Sequence, residues 1–132
     1  MSGKILVVDD TLSGRAVFQR LLTAFGLQPL FAGDGREALE IFGRTPDIAL
    51  ILMDIRLPDM TGMEAATAIR EQGLHGRMVP IIAITAAEGP MVRTKCLSVG
   101  MNECLHKPID PRRLMDLIRT LIPAAMRPGL PA

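Results

Sequence analysis

The sequence predicts an α/β fold, a doubly wound parallel sheet of five strands in the order 2-1-3-4-5 with five helices. Three observations predict it. Short apolar runs alternate along the chain with stretches of helical periodicity, the pattern of a parallel sheet covered by helices. Right-handed crossovers leave such a chain few topologies, and this doubly wound order is one of them. Polar residues gather at the carboxyl ends of the apolar runs, where sheets of this kind bind their ligands.

The elements follow in order. In "KILVVDD", Lys4 to Asp10, Ile5 to Val8 read as the first strand. Phe18, Leu21, Leu22 and Phe25 then fall at i, i+3, i+4 and i+7, one helix face, and Gly26 stops that helix. Leu30 to Ala32 is a weak strand, and Pro29 before it suits a sheet edge. Asp34 and Glu37 have capping-box spacing and open a short helix with Ala38, Leu39 and Phe42 inside. Ile48 to Met53 is the most apolar run and reads as a central strand ending at Asp54. Thr61 and Glu64 form a second capping box, opening a helix that carries Met63, Ala66, Ile69 and Arg70 and ends at Gly73 to Gly76. Pro80 to Ile84 is a fourth strand ending at Thr85, followed by a helix over Met91 to Val99 that Gly100 stops. Glu103 to His106 is a short fifth strand ending at Lys107-Pro108. Asp110 caps the last helix, Pro111 takes its first position, and Leu114, Leu117, Ile118 and Leu121 line one face.

Residues 1–122 therefore form one domain, and 123–132, with three prolines in ten residues, a flexible Pro-rich tail. The 132 residues carry 15 basic and 14 acidic side chains. That balance gives no field to draw nucleic acid or an anionic membrane. Trp and Tyr are absent, which leaves base stacking poorly supplied. No apolar run approaches a membrane span, and the N-terminus has no secretory pattern. Cys96 and Cys104 match no common zinc spacing and read as reduced, partly buried thiols. A cytoplasmic protein that binds neither nucleic acid nor membrane is expected.

The strand ends carry the chemistry. Strand one ends in Asp9 and Asp10, strand three in Asp54, strand four in Thr85 and strand five in Lys107. With strands one and three adjacent, three carboxylates converge beside a hydroxyl and an ammonium. Converging carboxylates repel, and a hard divalent cation removes the conflict. Magnesium takes oxygen ligands and commonly combines one or two carboxylates with a phosphate. Asp54 is then a candidate nucleophile that forms an acyl phosphate. Lys107, magnesium and the Thr85 hydroxyl would surround the transferring phosphoryl group, whose charge spreads over three oxygens. Pro108 fixes the backbone beyond Lys107 and is a candidate cis peptide.

The segments "ILVVDD", "ILMDIRLPDMTGME", "PIIAITA" and "HKPI" together resemble the receiver domain of two-component response regulators. The resemblance runs from about Lys4 to Leu121 and is to single-domain receivers of the chemotaxis-regulator kind, with a flavodoxin-like fold. It implies that Asp54 is the phosphoacceptor. It implies that Asp9, Asp10, Asp54 and the backbone carbonyl of Arg56 hold magnesium, and that Thr85 and Lys107 contact the phosphoryl group. The implied donor is a sensor histidine kinase or a histidine phosphotransfer protein, and the implied readout a downstream protein target. The domain would catalyse transfer to itself and its own slow dephosphorylation, without turnover of a separate substrate.

Other readings weigh less. "GDGREA", Gly33 to Ala38, matches a dinucleotide fingerprint, with Asp54 about 20 residues on. Its strand is short and carries Pro29, and the chain lacks room for two mononucleotide halves. Aspartyl phosphatases want D-x-D, which Asp54-Ile55-Arg56 breaks, and no P-loop motif exists. His75 and His106 lack clustered partners. One departure from the receiver pattern stands out: Cys104 occupies the position, three before Lys107, where receivers commonly carry Tyr or Phe to report the Thr movement. The resemblance also implies that Arg56 and Ala87 flank the site where water must attack. With no output domain following, signalling by protein contact is expected. A phosphoryl shuttle or sink, or the receiver portion of a hybrid histidine kinase, is the alternative, the latter opposed by the initiating Met and short tail.

Overall fold

The structure, a computed structural model, describes residues 3–86 and 89–122. Its elements are β1 (Lys4–Val8), α1 (Leu12–Ala24), β2 (Gln28–Ala32), α2 (Gly35–Arg44), β3 (Ile48–Asp54), α3 (Gly62–Arg70), α4 (Gly73–Met78), β4 (Ile81–Thr85), α5 (Pro90–Ser98), β5 (Glu103–His106) and α6 (Pro111–Leu121). All strand pairs are parallel, in the order β2-β1-β3-β4-β5. This is the predicted sheet. The tail from Pro123 onward and Ala87 lie outside the described residues.

Period-2 side chains split the core between the two faces of the sheet. Leu6, Val8, Ile51, Met53 and Ala83 face one way and pack with Ala38 and Phe42 of α2, Ala66 and Ile69 of α3, and Cys96 of α5. Ile5, Val7, Leu50, Leu52, Ile82 and Ile84 face the other way, onto Phe18 and Leu22 of α1 and Leu114 and Ile118 of α6. β3 is buried at every position, which is why its sequence is continuously apolar rather than alternating. Truncating one such residue, Leu50→Ala for instance, costs about 2–5 kcal/mol. Pro29 lies on the edge strand β2, where its missing N–H leaves no central ladder bond unmade.

Local signals set the helix ends. α1 ends in a Schellman turn: Gly26, at φ 79°, donates its N–H to Thr23 O, and Leu27 N donates to Leu22 O. The Thr61–Glu64 capping box is complete, each side chain accepting from the other's backbone N–H. At α2 the reciprocal bond is displaced. Asp34 Oδ1 accepts from Glu37 N, but Glu37 Oε1 accepts from Gly33 N, one residue before the cap.

One expectation is corrected. The described residues contain six helices, not five, because 73–76 does not simply end α3 but opens α4. The chain turns at Gly73, whose φ of 69° suits glycine. The Arg70 guanidinium then supplies what so short a helix lacks. Its Nη1 donates to Gly76 O at 2.8 Å and Val79 O at 2.6 Å, while Nε and Nη2 donate to Gly100 O. A cation thus satisfies carbonyls at the helix C-terminus.

Candidate active site

Parallel register brings the acidic residues together. Val8 pairs with Met53, so Asp9 and Asp54 come next on neighbouring strands. Asp54 pairs with Ile84, and Lys107, just past β5, donates its N–H to Thr85 O at 2.9 Å. Asp9, Asp10 and Asp54 each offer a carboxylate oxygen within 4.8 Å of the others. Asp10, Asp54, Arg56, Thr85 and Lys107 line one cleft of about 340 Å³ at this end of the sheet, together with Thr11 and Ala86. Asp9, Asp10, Asp54, Arg56, Thr85 and Lys107 therefore lie together at the carboxyl end of the sheet.

The carboxylates are held, not loose. Asp54 is 7% exposed; Arg56 N donates to its Oδ1 at 3.0 Å and Lys107 Nζ to its Oδ2 at 3.0 Å. Asp9 is 1% exposed, and its Oδ1 accepts from both the N–H and the hydroxyl of Thr11. Its Oδ2 is buried without a hydrogen-bond partner among the described residues. A buried carboxylate oxygen left unpaired is costly, and three clustered carboxylates share a single ammonium, that of Lys107, among the ion pairs of the described residues. An all-oxygen donor set with an excess of negative charge and an orphaned buried oxygen fits a hard divalent cation. Thr85 is buried on the cleft wall. The Lys107–Pro108 peptide is cis.

The start of α3 lies directly against the end of β3. A Cβ on Gly62 would collide with Asp54 O and stand 2.9 Å from Ile55 Cα. Gly62 N donates to Ile55 O at 2.7 Å, closing the loop after Asp54 into a tight ring.

The sequence reading missed two supports. Thr11 caps α1 by accepting from Gly14 N while it fixes Asp9, and its signal was a Thr immediately before the helix. Arg15 donates from Nε to Asp9 O at 2.9 Å and lies over the Phe31 ring. The remaining singled-out residues lie elsewhere. His75 stacks on Phe42 with Nε2 bonded to Ile48 O, and His106 is exposed at the end of β5. Cys96 and Cys104 are buried free thiols at the α5–β5 contact, with Cys104 7% exposed. Burial pushes the Cys96 thiol up, and burial beside Cys96 pushes that of Cys104 up to about 11.

Comparison with known proteins gives a consistent picture. Residues 5–119 match the family model described as the response regulator receiver domain. Hybrid signal transduction histidine kinase I of Dictyostelium discoideum is 36% identical over 124 residues, 90% of this chain and 7% of that protein. The chain thus spans under a tenth of that relative's length. The receiver domain of the sensor histidine kinase PA1611 from Pseudomonas aeruginosa superposes with a TM-score of 0.83 at 35% identity, covering 92% of this chain and 98% of that one. That structure has a magnesium ion coordinated in its active site cleft. The receiver domain of Ssk1 from Saccharomyces cerevisiae, in complex with the histidine phosphotransfer protein Ypd1, gives a TM-score of 0.82 at 29% identity, over 91% of this chain and 88% of that one. No helix among the described residues is long and apolar enough to cross a membrane.

Proposed function

The chain belongs to the response regulator receiver family, and from that premise we propose that it accepts a phosphoryl group from a phosphohistidine onto Asp54. The carrying observation is the Asp54 carboxylate itself: buried at the end of the central strand, fixed through both oxygens, and faced by two further carboxylates. An Asp54 oxygen attacks phosphorus as the P–N bond to the donor imidazole breaks. The electron pair leaves with the imidazole nitrogen, which takes up a proton. Holding the nucleophile in one orientation supplies much of the acceleration in such a transfer.

Asp9, Asp10 and Asp54, with the Arg56 carbonyl, would hold magnesium. When bound, the ion neutralises charge on the transferring group and its carboxylate surroundings. Lys107 neutralises Asp54 in the resting site and then follows the charge onto the phosphoryl oxygens. Thr85 offers its hydroxyl from the cleft wall. The Thr11 pair of hydrogen bonds keeps Asp9 Oδ1 from turning away.

The donor is a sensor histidine kinase or a histidine phosphotransfer protein, in the cytoplasm, where both thiols stay reduced. The readout is a protein target. With the small Cys104 buried against α5, signalling rests on backbone shifts after β4 and on the surface around α5, not on a rotamer change at 104. The sequence similarity to a hybrid kinase favours a second reading, a receiver segment that passes its phosphoryl group to another histidine. Reverse transfer to a free phosphotransfer protein, without a phosphorylation-dependent target, would mark that case.

Borohydride reduction tests the assignment. An aspartyl phosphate is reduced to homoserine, so peptide mass spectrometry after phosphorylation should find homoserine at position 54. Homoserine at position 9 or 10 instead would refute it.

A further inference from the structure

Asp59 sits in the loop after Asp54, yet its carboxylate binds a helix 24 positions upstream. Oδ1 accepts from Gly35 N at 2.8 Å and Oδ2 from Arg36 N at 3.0 Å. These are the first two residues of α2. A helix start leaves four N–H groups without intrahelical partners. At α2 its own cap takes one of them, Glu37 N, on Asp34 Oδ1, while the Ala38 N to Asp34 O bond is already the first within the helix. Asp59 takes two more, those of Gly35 and Arg36, from outside the helix. Met60 reinforces the contact, because a Cβ on Gly35 would stand 2.5 Å from its Cγ and Sδ; the bare glycine lets the loop lie directly on α2.

The same loop runs into the site. Arg56 N donates to Asp54 Oδ1, the Arg56–Thr61 bridge and the Gly62 N to Ile55 O bond close its base, and Asp59 ties it down beyond Pro58. The two backbone donors hold the Asp59 carboxyl below its ordinary range, so the clasp is charged at neutral pH.

We infer that Asp59 is a positioning residue: by clasping the loop to the N-terminus of α2 it fixes the Arg56 backbone, and through it Asp54 and the magnesium site. The inference rests on the metal assignment made above. Asp34 caps α2 from within its own segment, whereas the Asp59 bonds also tie α2 to the loop that carries Arg56.

The test is calorimetric titration of magnesium into the wild type, Asp59→Ala, Asp59→Asn, Asp34→Ala and Asp10→Ala, with metal-free melting temperatures alongside. Asp59→Ala should weaken magnesium binding about tenfold, the low end of what lost support behind a metal ligand costs. Asp59→Asn removes the same charge but keeps one acceptor, so it should bind more tightly than Asp59→Ala; that difference reads hydrogen bonding rather than charge. Asp34→Ala should lower the melting temperature and leave magnesium affinity at the wild-type value. Wild-type affinity in Asp59→Ala, or equal weakening by Asp34→Ala, would overturn the clasp. Equal binding by the wild type and Asp10→Ala would overturn the metal assignment itself, and the clasp's role with it.

Discussion

Lys107 Nζ stands 3.0 Å from Asp54 Oδ2, an ion pair between residues 53 positions apart that reaches across the end of β4. It is a positive group already placed where phosphoryl charge would develop. It also competes with any metal for the same carboxylate. Those two roles have opposite signs and can be separated.

Lys107→Ala should slow phosphorylation of Asp54 about a hundredfold, the scale of losing one preorganised donor to a developing charge. The same variant should bind magnesium more tightly than the wild type, because a competing cation has gone. Rates from a small phosphodonor, with magnesium titrations beside them, check both halves. An unchanged rate would remove Lys107 from the transfer.

Magnesium should raise the melting temperature by mass action on the folded state, equivalent to about 2.7 kcal/mol at a hundred times the dissociation constant. Asp10→Ala should largely abolish that response, since Asp10 is the exposed member of the cluster and its loss leaves the core intact. An identical magnesium-dependent shift in the variant would count against the cluster.

Glu103 gives a pH dependence. Its carboxylate accepts from Arg93 Nε at 2.8 Å and from Cys104 N at 3.1 Å, and Arg113 lies 3.7 Å away. The Arg93 hydrogen bond leads in holding its carboxyl below the ordinary 4.5, against the opposing effect of burial. A depressed folded value means the pair stabilises the fold above about 4.5 and loses that contribution as pH falls through the lower folded value. The melting-temperature gap between wild type and Glu103→Gln should therefore be full at neutral pH and close progressively below the ordinary carboxylate range. A gap that is constant down to strongly acid pH would contradict the pairing.

The cysteines should behave as core residues. Both are buried and both thiols are pushed up, that of Cys104 to about 11. A thiol reagent at mildly alkaline pH should modify the native protein far more slowly than the denatured chain, because the thiolate is the reactive form. Rapid native labelling would show that the α5–β5 contact opens. For the readout, Cys104→Ala should change phosphorylation-dependent partner affinity by less than about tenfold, roughly 1.4 kcal/mol. A variant that is phosphorylated normally but binds no better than its unphosphorylated form would make Cys104 the switch.

The sequence carried those features whose cause is local or periodic. Asp9, Asp10, Asp54, Thr85 and Lys107 could be placed because each terminates an apolar run, and parallel strands in one sheet must end on one side. The Thr61 and Asp110 caps were legible because donor and acceptor lie within three residues. α4 was not, since its stability depends on Arg70 reaching Gly76, Val79 and Gly100, contacts no short window contains. The Asp59 clasp failed for the same reason, as its partners belong to another helix. Glu37 shows the limit of a motif: the spacing was right, but the side chain chose Gly33 N over Asp34 N.

Intact-mass measurement after exposure to a small phosphodonor with magnesium decides whether Asp54 is the nucleophile. Asp54→Asn keeps the size of the side chain but removes its nucleophilic oxygen anion, so no acyl phosphate can form. The wild type should gain one acid-labile phosphoryl group and Asp54→Asn none. Full labelling of the Asn variant would contradict that assignment.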